Sequence, residues 1–70
     1  MTREELVEKL VRRPFVPFRI ILTNGRQYEI ARSFQAAIGK TTLMIYDAAS
    51  EQVAMPKLDE VARLTPAQAA

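Results

Sequence analysis

Hydrophobic and polar positions alternate with a period of two on both sides of Asn24-Gly25. This dipeptide is typical of a β-hairpin turn. A two-residue loop would mix apolar and polar side chains on each face of the hairpin. A three-residue loop, with Gly25 left-handed, places Leu22 opposite Arg26 and gives one clean apolar face. That predicted face consists of Phe18, Ile20, Leu22, Tyr28 and Ile30.

Before the hairpin, the apolar residues follow a helical period, which predicts an α-helix over residues 2–13. Thr2 and Glu5 form a T-x-x-E capping box at its start. Pro14 ends it, because the residue before a proline avoids the helical region. A helix of about three turns is marginal alone, so its apolar stripe is expected to pack on the rest of the chain. The stripe consists of Leu6, Val7, Leu10 and Val11.

The segment between helix and hairpin, RPFVPF, is expected to be extended because it contains two prolines. Its two phenylalanines have two interpretations. We interpret Phe15 and Phe18 as core residues beneath the helix, since large aromatics dominate small cores. Stacking on nucleic-acid bases is the alternative.

The second half of the chain reads as further short strands. Residues 36–39 fit a short strand or a continuation of the preceding one. Residues 42–47, TLMIYD, are apolar on both faces, and such a strand is expected to be covered on both sides, by the helix or by a neighbouring subunit. Strands over 52–55 and 60–64 follow. We therefore expect one domain over 1–66, with strands from 18 to 64 and a frayed tail at 67–70.

The chain has 70 residues and contains neither cysteine nor histidine. A chain this short has a marginal core and often needs a disulfide, a metal or a partner subunit. The absent residues remove disulfides, the usual zinc ligands and the usual general base. Self-association is the remaining stabiliser, and we expect a homo-oligomer. Its candidate subunit interface consists of Met44, Tyr46, Val53 and Met55.

No pattern indicates catalysis, so we expect no enzyme, no cofactor, no metal and no small-molecule substrate. GKTT at 39–42 lacks the earlier glycine of a phosphate-binding loop, because position 34 is Phe34. The carboxylates show no spacing for acid–base or metal chemistry. No apolar run reaches the ~18 residues of a membrane span, and the N-terminus is amphipathic, so a cytoplasmic protein is the expectation.

Positive charge is concentrated in one part of the chain. Residues 9–32 hold six basic side chains against Glu29, a net +5, within an overall charge of +2. This field favours phosphate binding, although arginines also occur simply as solvated residues on strand faces and edges. The candidate nucleic-acid contacts are Arg12, Arg13, Arg19, Arg26, Arg32 and Lys57.

IILTNGRQYEI resembles the strand–turn–strand of Sm-like proteins, especially their bacterial RNA-chaperone branch. QVAMPKLDEVARLTP is similar to the part that closes their barrel. The Pro-Phe-x-Pro-Phe-Arg-Ile-like run also resembles short bacterial proteins, a resemblance that implies no function. The Sm-like resemblance implies a mainly β fold: a small Sm-like or SH3-like antiparallel barrel of about five strands with an N-terminal α-helix.

The resemblance does not extend to the RNA pockets of that family. The region SFQAAIGKTTL lacks their Asp-x-x-x-Asn, and MPKLD lacks their Arg-Gly or Lys-His, with Lys57 as a loose counterpart. Two hypotheses follow. The first is a self-associating protein-interaction or assembly module, and the second is an Sm-like RNA-binding ring.

Overall fold

The computed structural model describes residues 3–67 and is mainly β, with one helix and six antiparallel strands. The elements are α1 (Arg3–Val11), β1 (Phe18–Leu22), β2 (Gln27–Ile30), β3 (Ala36–Ile38), β4 (Leu43–Asp47), β5 (Gln52–Ala54) and β6 (Val61–Pro66). Two 3-10 turns, Ser33–Gln35 and Leu58–Glu60, join β2 to β3 and β5 to β6.

The strands form two three-stranded sheets. The first has the order β2-β1-β6 and the second the order β3-β4-β5. The two 3-10 turns carry the chain from the first sheet to the second and back again. Within residues 3–67 the sheets do not close into one continuous barrel. There are six strands rather than about five, because residues 36–38 form a strand of their own.

The β1–β2 hairpin confirms the predicted bulged turn. Ile21 pairs with Gln27, so the next position along places Leu22 opposite Arg26. The Leu22 amide donates to the Arg26 carbonyl at 2.8 Å, and Gly25 has a φ of 91°. The Asn24 side chain accepts a hydrogen bond from the Arg26 amide at 2.9 Å. The apolar side of this hairpin therefore faces the interior, as predicted. Tyr28 is half-buried, and the others are buried: Phe18, Ile20, Leu22 and Ile30.

The core lies between the two sheets and under α1. Its buried members come from both sheets and the helix: Leu6, Phe18, Ile20, Leu22, Ile30, Leu43, Ile45 and Val61. Phe15 packs against this cluster, and its ring centroid lies 6.0 Å from that of Phe18. The prediction that both phenylalanines belong to the core is confirmed.

Helix α1 covers the core with fewer residues than expected. Leu6 is fully buried and Leu10 packs on the core, but Val11 is 63% exposed, so its assignment to the buried stripe is wrong. The helix ends at Val11 rather than residue 13, and the Arg13 guanidinium donates to the Leu10 carbonyl at 3.2 Å. This bond satisfies a carbonyl that the shortened helix leaves without a backbone donor. The predicted cap Thr2 lies outside the described residues.

Strand β6 extends to Pro66, beyond the expected end at residue 64, because it pairs along the whole of β1. The register shifts between Ile21 and Leu22, which leaves Ala62 as the extra residue of a bulge in β6. Ala67, the first residue of the expected tail, is 7% exposed, and its amide donates to the Pro17 carbonyl at 3.4 Å. The rest of that tail lies outside the described residues.

A buried glutamine joins the two sheets where the chain passes between them. Gln35 is 8% exposed, and its Oε1 accepts hydrogen bonds from the amides of Ala31 and Arg32, both at 2.8 Å. Its Nε2 donates to the Tyr46 carbonyl in β4 at 3.5 Å. One side chain thus satisfies backbone groups at the end of β2 and in the centre of the second sheet.

We expect Gly25→Ala to lower the free energy of unfolding by about 1–2 kcal/mol, the cost of a side chain in the left-handed region. No heavy atom lies within 4 Å of the added Cβ, so backbone conformation is the only source of this loss. Urea denaturation would measure it. Gly25→Asn should lose less, because asparagine tolerates this conformation. Equal stability of the alanine variant and the wild type would contradict the assigned turn.

We expect Gln35→Leu to lower the free energy of unfolding by about 1–3 kcal/mol in all, because the variant loses the hydrogen bonds that Gln35 makes to the backbone. The amides of Ala31 and Arg32 lose their acceptor in this variant. Thermal or urea unfolding would measure the loss. Gln27→Leu, at an exposed position of β2, is the matched control, with an expected change within about 0.5 kcal/mol. Similar stability of the two variants would show that Gln35 does not join the sheets.

Candidate interaction surface

The β4–β5 hairpin brings the predicted interface residues together. Tyr46 pairs with Val53. Two residues further along the same antiparallel register, Met44 lies opposite Met55, and the Leu43 amide accordingly donates to the Pro56 carbonyl at 2.9 Å. Because side chains alternate across a strand, these four side chains share the outer side of the second sheet.

The burial values agree with this alternation. Leu43 and Ile45 are fully buried, whereas Met44 is 44% and Tyr46 is 42% exposed. On β5, Val53 is 53% exposed, and Met55 beyond it is 65% exposed. Ala37 of β3 pairs with Met44 and is exposed as well. We call this surface the apolar face; it consists of Ala37, Met44, Tyr46, Val53 and Met55.

The outer side of the first sheet differs in chemistry. Arg19 pairs with Glu29, which sets opposite charges side by side, and Ile21 pairs with Arg63. Gln27 and Thr65 complete this side. Such a polar surface is typical of a solvated sheet face. Of the two sheets, only the second therefore has an outer side whose strand residues carry no charge.

The helix does not cover the apolar face. Leu6 and Leu10 of α1 pack on the core between the sheets, and the outward side chains of β4 remain partly exposed. The sequence left two possibilities for what covers the second side of TLMIYD, the helix or a neighbouring subunit. The structure excludes the helix. Strand β4 is also the central strand of its sheet, between the edge strands β3 and β5.

The predicted basic contacts do not meet in one place. Arg19 lies on the outer side of the first sheet, and Arg26 lies at the tip of the first hairpin, in a depression that Tyr28 and Ala54 also line. Lys57 follows β5 and forms a bridge with Thr42. The remaining candidates, Arg12, Arg13 and Arg32, are exposed residues that follow α1 or β2.

Sequence reasoning missed Phe34, which is 82% exposed. It belongs to the 3-10 turn Ser33–Gln35 and lines a shallow depression with Phe15 and Arg32. Its exposure follows from the inward position of its neighbour Gln35, which holds the turn. No local pattern signals this, because an isolated phenylalanine ordinarily indicates a core position.

The described part of the chain contains no group of three or more acidic, histidine or cysteine side chains able to hold a metal. No helix between residues 3 and 67 has both the length and the apolar character to cross a membrane. Comparison of the chain with protein families, with curated proteins and with solved structures finds no match.

Proposed function

We propose that this protein is a non-enzymatic protein-interaction module that self-associates through the apolar face. The observation that carries the proposal is the cluster of half-exposed Met44, Tyr46, Val53 and Met55 on one side of one sheet. A contiguous exposed apolar patch on a small protein commonly marks an interaction site. Another copy of the chain is the proposed partner, because it is always present at the same concentration as the chain that carries the patch.

The size of the patch sets the expected strength. Four large side chains at about half exposure present on the order of 400 Å². Two such patches would bury about 800 Å² in all, against about 1,600 Å² for a standard stable interface. Much of the free energy gained by burying this apolar surface is offset by the translational and rotational freedom that is lost on association. The proposed complex is therefore weak and depends on protein concentration.

We further propose that the two sheets are the two halves of a small Sm-like or SH3-like barrel. The pairing of β6 with β1 supports this, because it sets the closing strand beside the first hairpin. The order of strands through β2, β3, β4 and β5 follows the chain, as in a meander. The 3-10 turn at Ser33–Gln35 takes the place of continuous pairing between the halves.

Val53→Lys should lower the average mass in solution, because burial of an ammonium group in the interface opposes association. Met44→Glu should do the same. Sedimentation velocity from about 10 µM to about 1 mM covers the range of weak affinities. Gln27→Lys is the matched control, since it adds the same charge to an exposed strand position of the other sheet.

Circular dichroism must show that each variant remains folded. The expected result is a concentration-dependent mass for the wild type and the control, and a monomer for Val53→Lys. A wild-type protein that is monomeric at every concentration would contradict self-association.

RNA binding is the second candidate function, and Phe34 is the observation that favours it. Its exposed ring shares a depression with Arg32, and single-stranded nucleic acids bind to such pairs of aromatic and basic side chains. The segment 9–32, with its net +5, includes this arginine.

If RNA binds there, Phe34→Ala should weaken binding of oligouridine or oligoadenine about 5- to 100-fold, the value of one stacked base. Arg32→Gln should reduce the salt dependence by about one phosphate contact. Fluorescence anisotropy at several salt concentrations measures both effects. Arg63→Gln, an exposed position of β6, is the control. Equal binding by Phe34→Ala and the wild type would exclude the site.

A further inference from the structure

We infer that the apolar face pairs with the same face of a second copy about a two-fold axis, in a register selected by opposite charges at its two ends. This inference rests on the proposed self-association and adds its symmetry and its contacts. A two-fold contact is self-complementary, so each patch on one copy must meet its complement on the other. Each residue of the apolar face and of its two ends must therefore meet a complementary residue of the second copy.

The outward positions along β5 and its extension are Val53, Met55 and Lys57, since alternate residues share one side of a strand and the bridge between Thr42 and Lys57 continues the register of β4 and β5. All three are exposed, whereas Ala54 and Pro56 between them are half-buried. Glu51 is an exposed turn residue directly before β5. A negative charge therefore stands at one end of the face and a positive charge at the other, with two apolar side chains between them.

Other groups reinforce the positive end. Lys40 lies in the turn between β3 and β4, and it lines a depression together with Lys57 and Asp59. This depression therefore holds two positive charges and one negative charge. The Lys57 amide donates to Glu60 Oε1 at 2.7 Å, and Glu60 lines a second depression together with Arg26 and Met55.

The negative end is built on the β4–β5 turn. The Asp47 carboxylate accepts hydrogen bonds from the Ala49 amide at 3.2 Å and from Ser50 Oγ at 3.0 Å, which fixes the turn. Glu51 completes it with a φ of 56°, and it is exposed. The turn therefore carries two acidic residues, Asp47 and Glu51. Arg26 also approaches this end, in a depression that Tyr28, Asp47 and Val53 line as well.

The spacing of these residues is symmetric. Glu51 and Lys57 each lie three residues from Ala54 along the chain, one before it and one after it. Ala54 pairs with Ile45 of β4. A two-fold axis that crosses the strands at this pair, between two stacked sheets, reverses the strand direction. It places Val53 over the partner's Met55 and Tyr46 over the partner's Met44.

The same axis places Glu51 over the partner's Lys57, and Lys57 over the partner's Glu51. Apolar side chains then meet apolar side chains, and each charge meets its opposite. A parallel arrangement of the two sheets would instead set like charges together. Exposed ion pairs contribute little to affinity, so their effect here is to select the register.

Two single charge reversals test the register. Lys57→Glu makes both ends negative, and Glu51→Lys makes both ends positive. Each variant alone should self-associate on the order of tenfold more weakly than the wild type, because both contacts become repulsive. Mixed together, the two variants should form one-to-one heterodimers. The double variant Glu51→Lys with Lys57→Glu should recover wild-type association.

Native mass spectrometry with one variant labelled with ¹⁵N distinguishes heterodimers from homodimers of this 7.9 kDa chain. Sedimentation at low salt and at about 1 M salt should show the charge effect disappear by screening. Arg63→Glu, an equal reversal on the outer side of the first sheet, is the control and should leave association unchanged.

These experiments distinguish a failure of the two-fold register from a failure of self-association itself. A wild type that associates, with variants that neither weaken alone nor pair together, would overturn the two-fold register and leave self-association in place. A wild type that remains monomeric would overturn both. Preferential heterodimers, with recovery in the double variant, support the symmetric contact.

Discussion

The alternation of side chains along β4 determines what this protein buries and what it exposes. The strand is apolar at nearly every position, yet one core lies between the sheets, and it takes Leu43 and Ile45. Met44 and Tyr46 must then point outward. Because β5 pairs with β4 in a fixed register, its own outward residues join them. The apolar face is therefore a direct consequence of strand geometry.

The junction between the two sheets depends on a polar group. A 3-10 turn interrupts the chain between β2 and β3, and this interruption leaves backbone amides without strand partners. Gln35 accepts from two of them and reaches the carbonyl of Tyr46 in the second sheet. The same turn presents Phe34 to solvent. The same 3-10 turn therefore joins the two sheets and exposes the Phe34 ring, which we proposed as an RNA contact.

Local patterns predicted the features that depend on local chemistry. Asn24-Gly25 and the period of two were sufficient for the register of the first hairpin, because turn geometry and burial both act over neighbouring residues. The same alternation identified Met44, Tyr46, Val53 and Met55 as outward residues. The early end of α1, the inward Gln35 and the division into two sheets depend on contacts between distant segments. No periodicity in the sequence reports such contacts, so these features became visible only in the folded chain.

The bulge and the proline of β6 have a consequence for growth of the sheets. A free strand edge can add strands from other molecules without limit, and that process leads to fibrils. Here Ala62 interrupts the ladder of β6, and Pro66 at its end has no N–H to donate. The edge strands of the other sheet, β3 and β5, span three residues each, and Pro56 follows soon after β5. Edges this short and interrupted are poor templates for the open-ended addition of strands from other molecules.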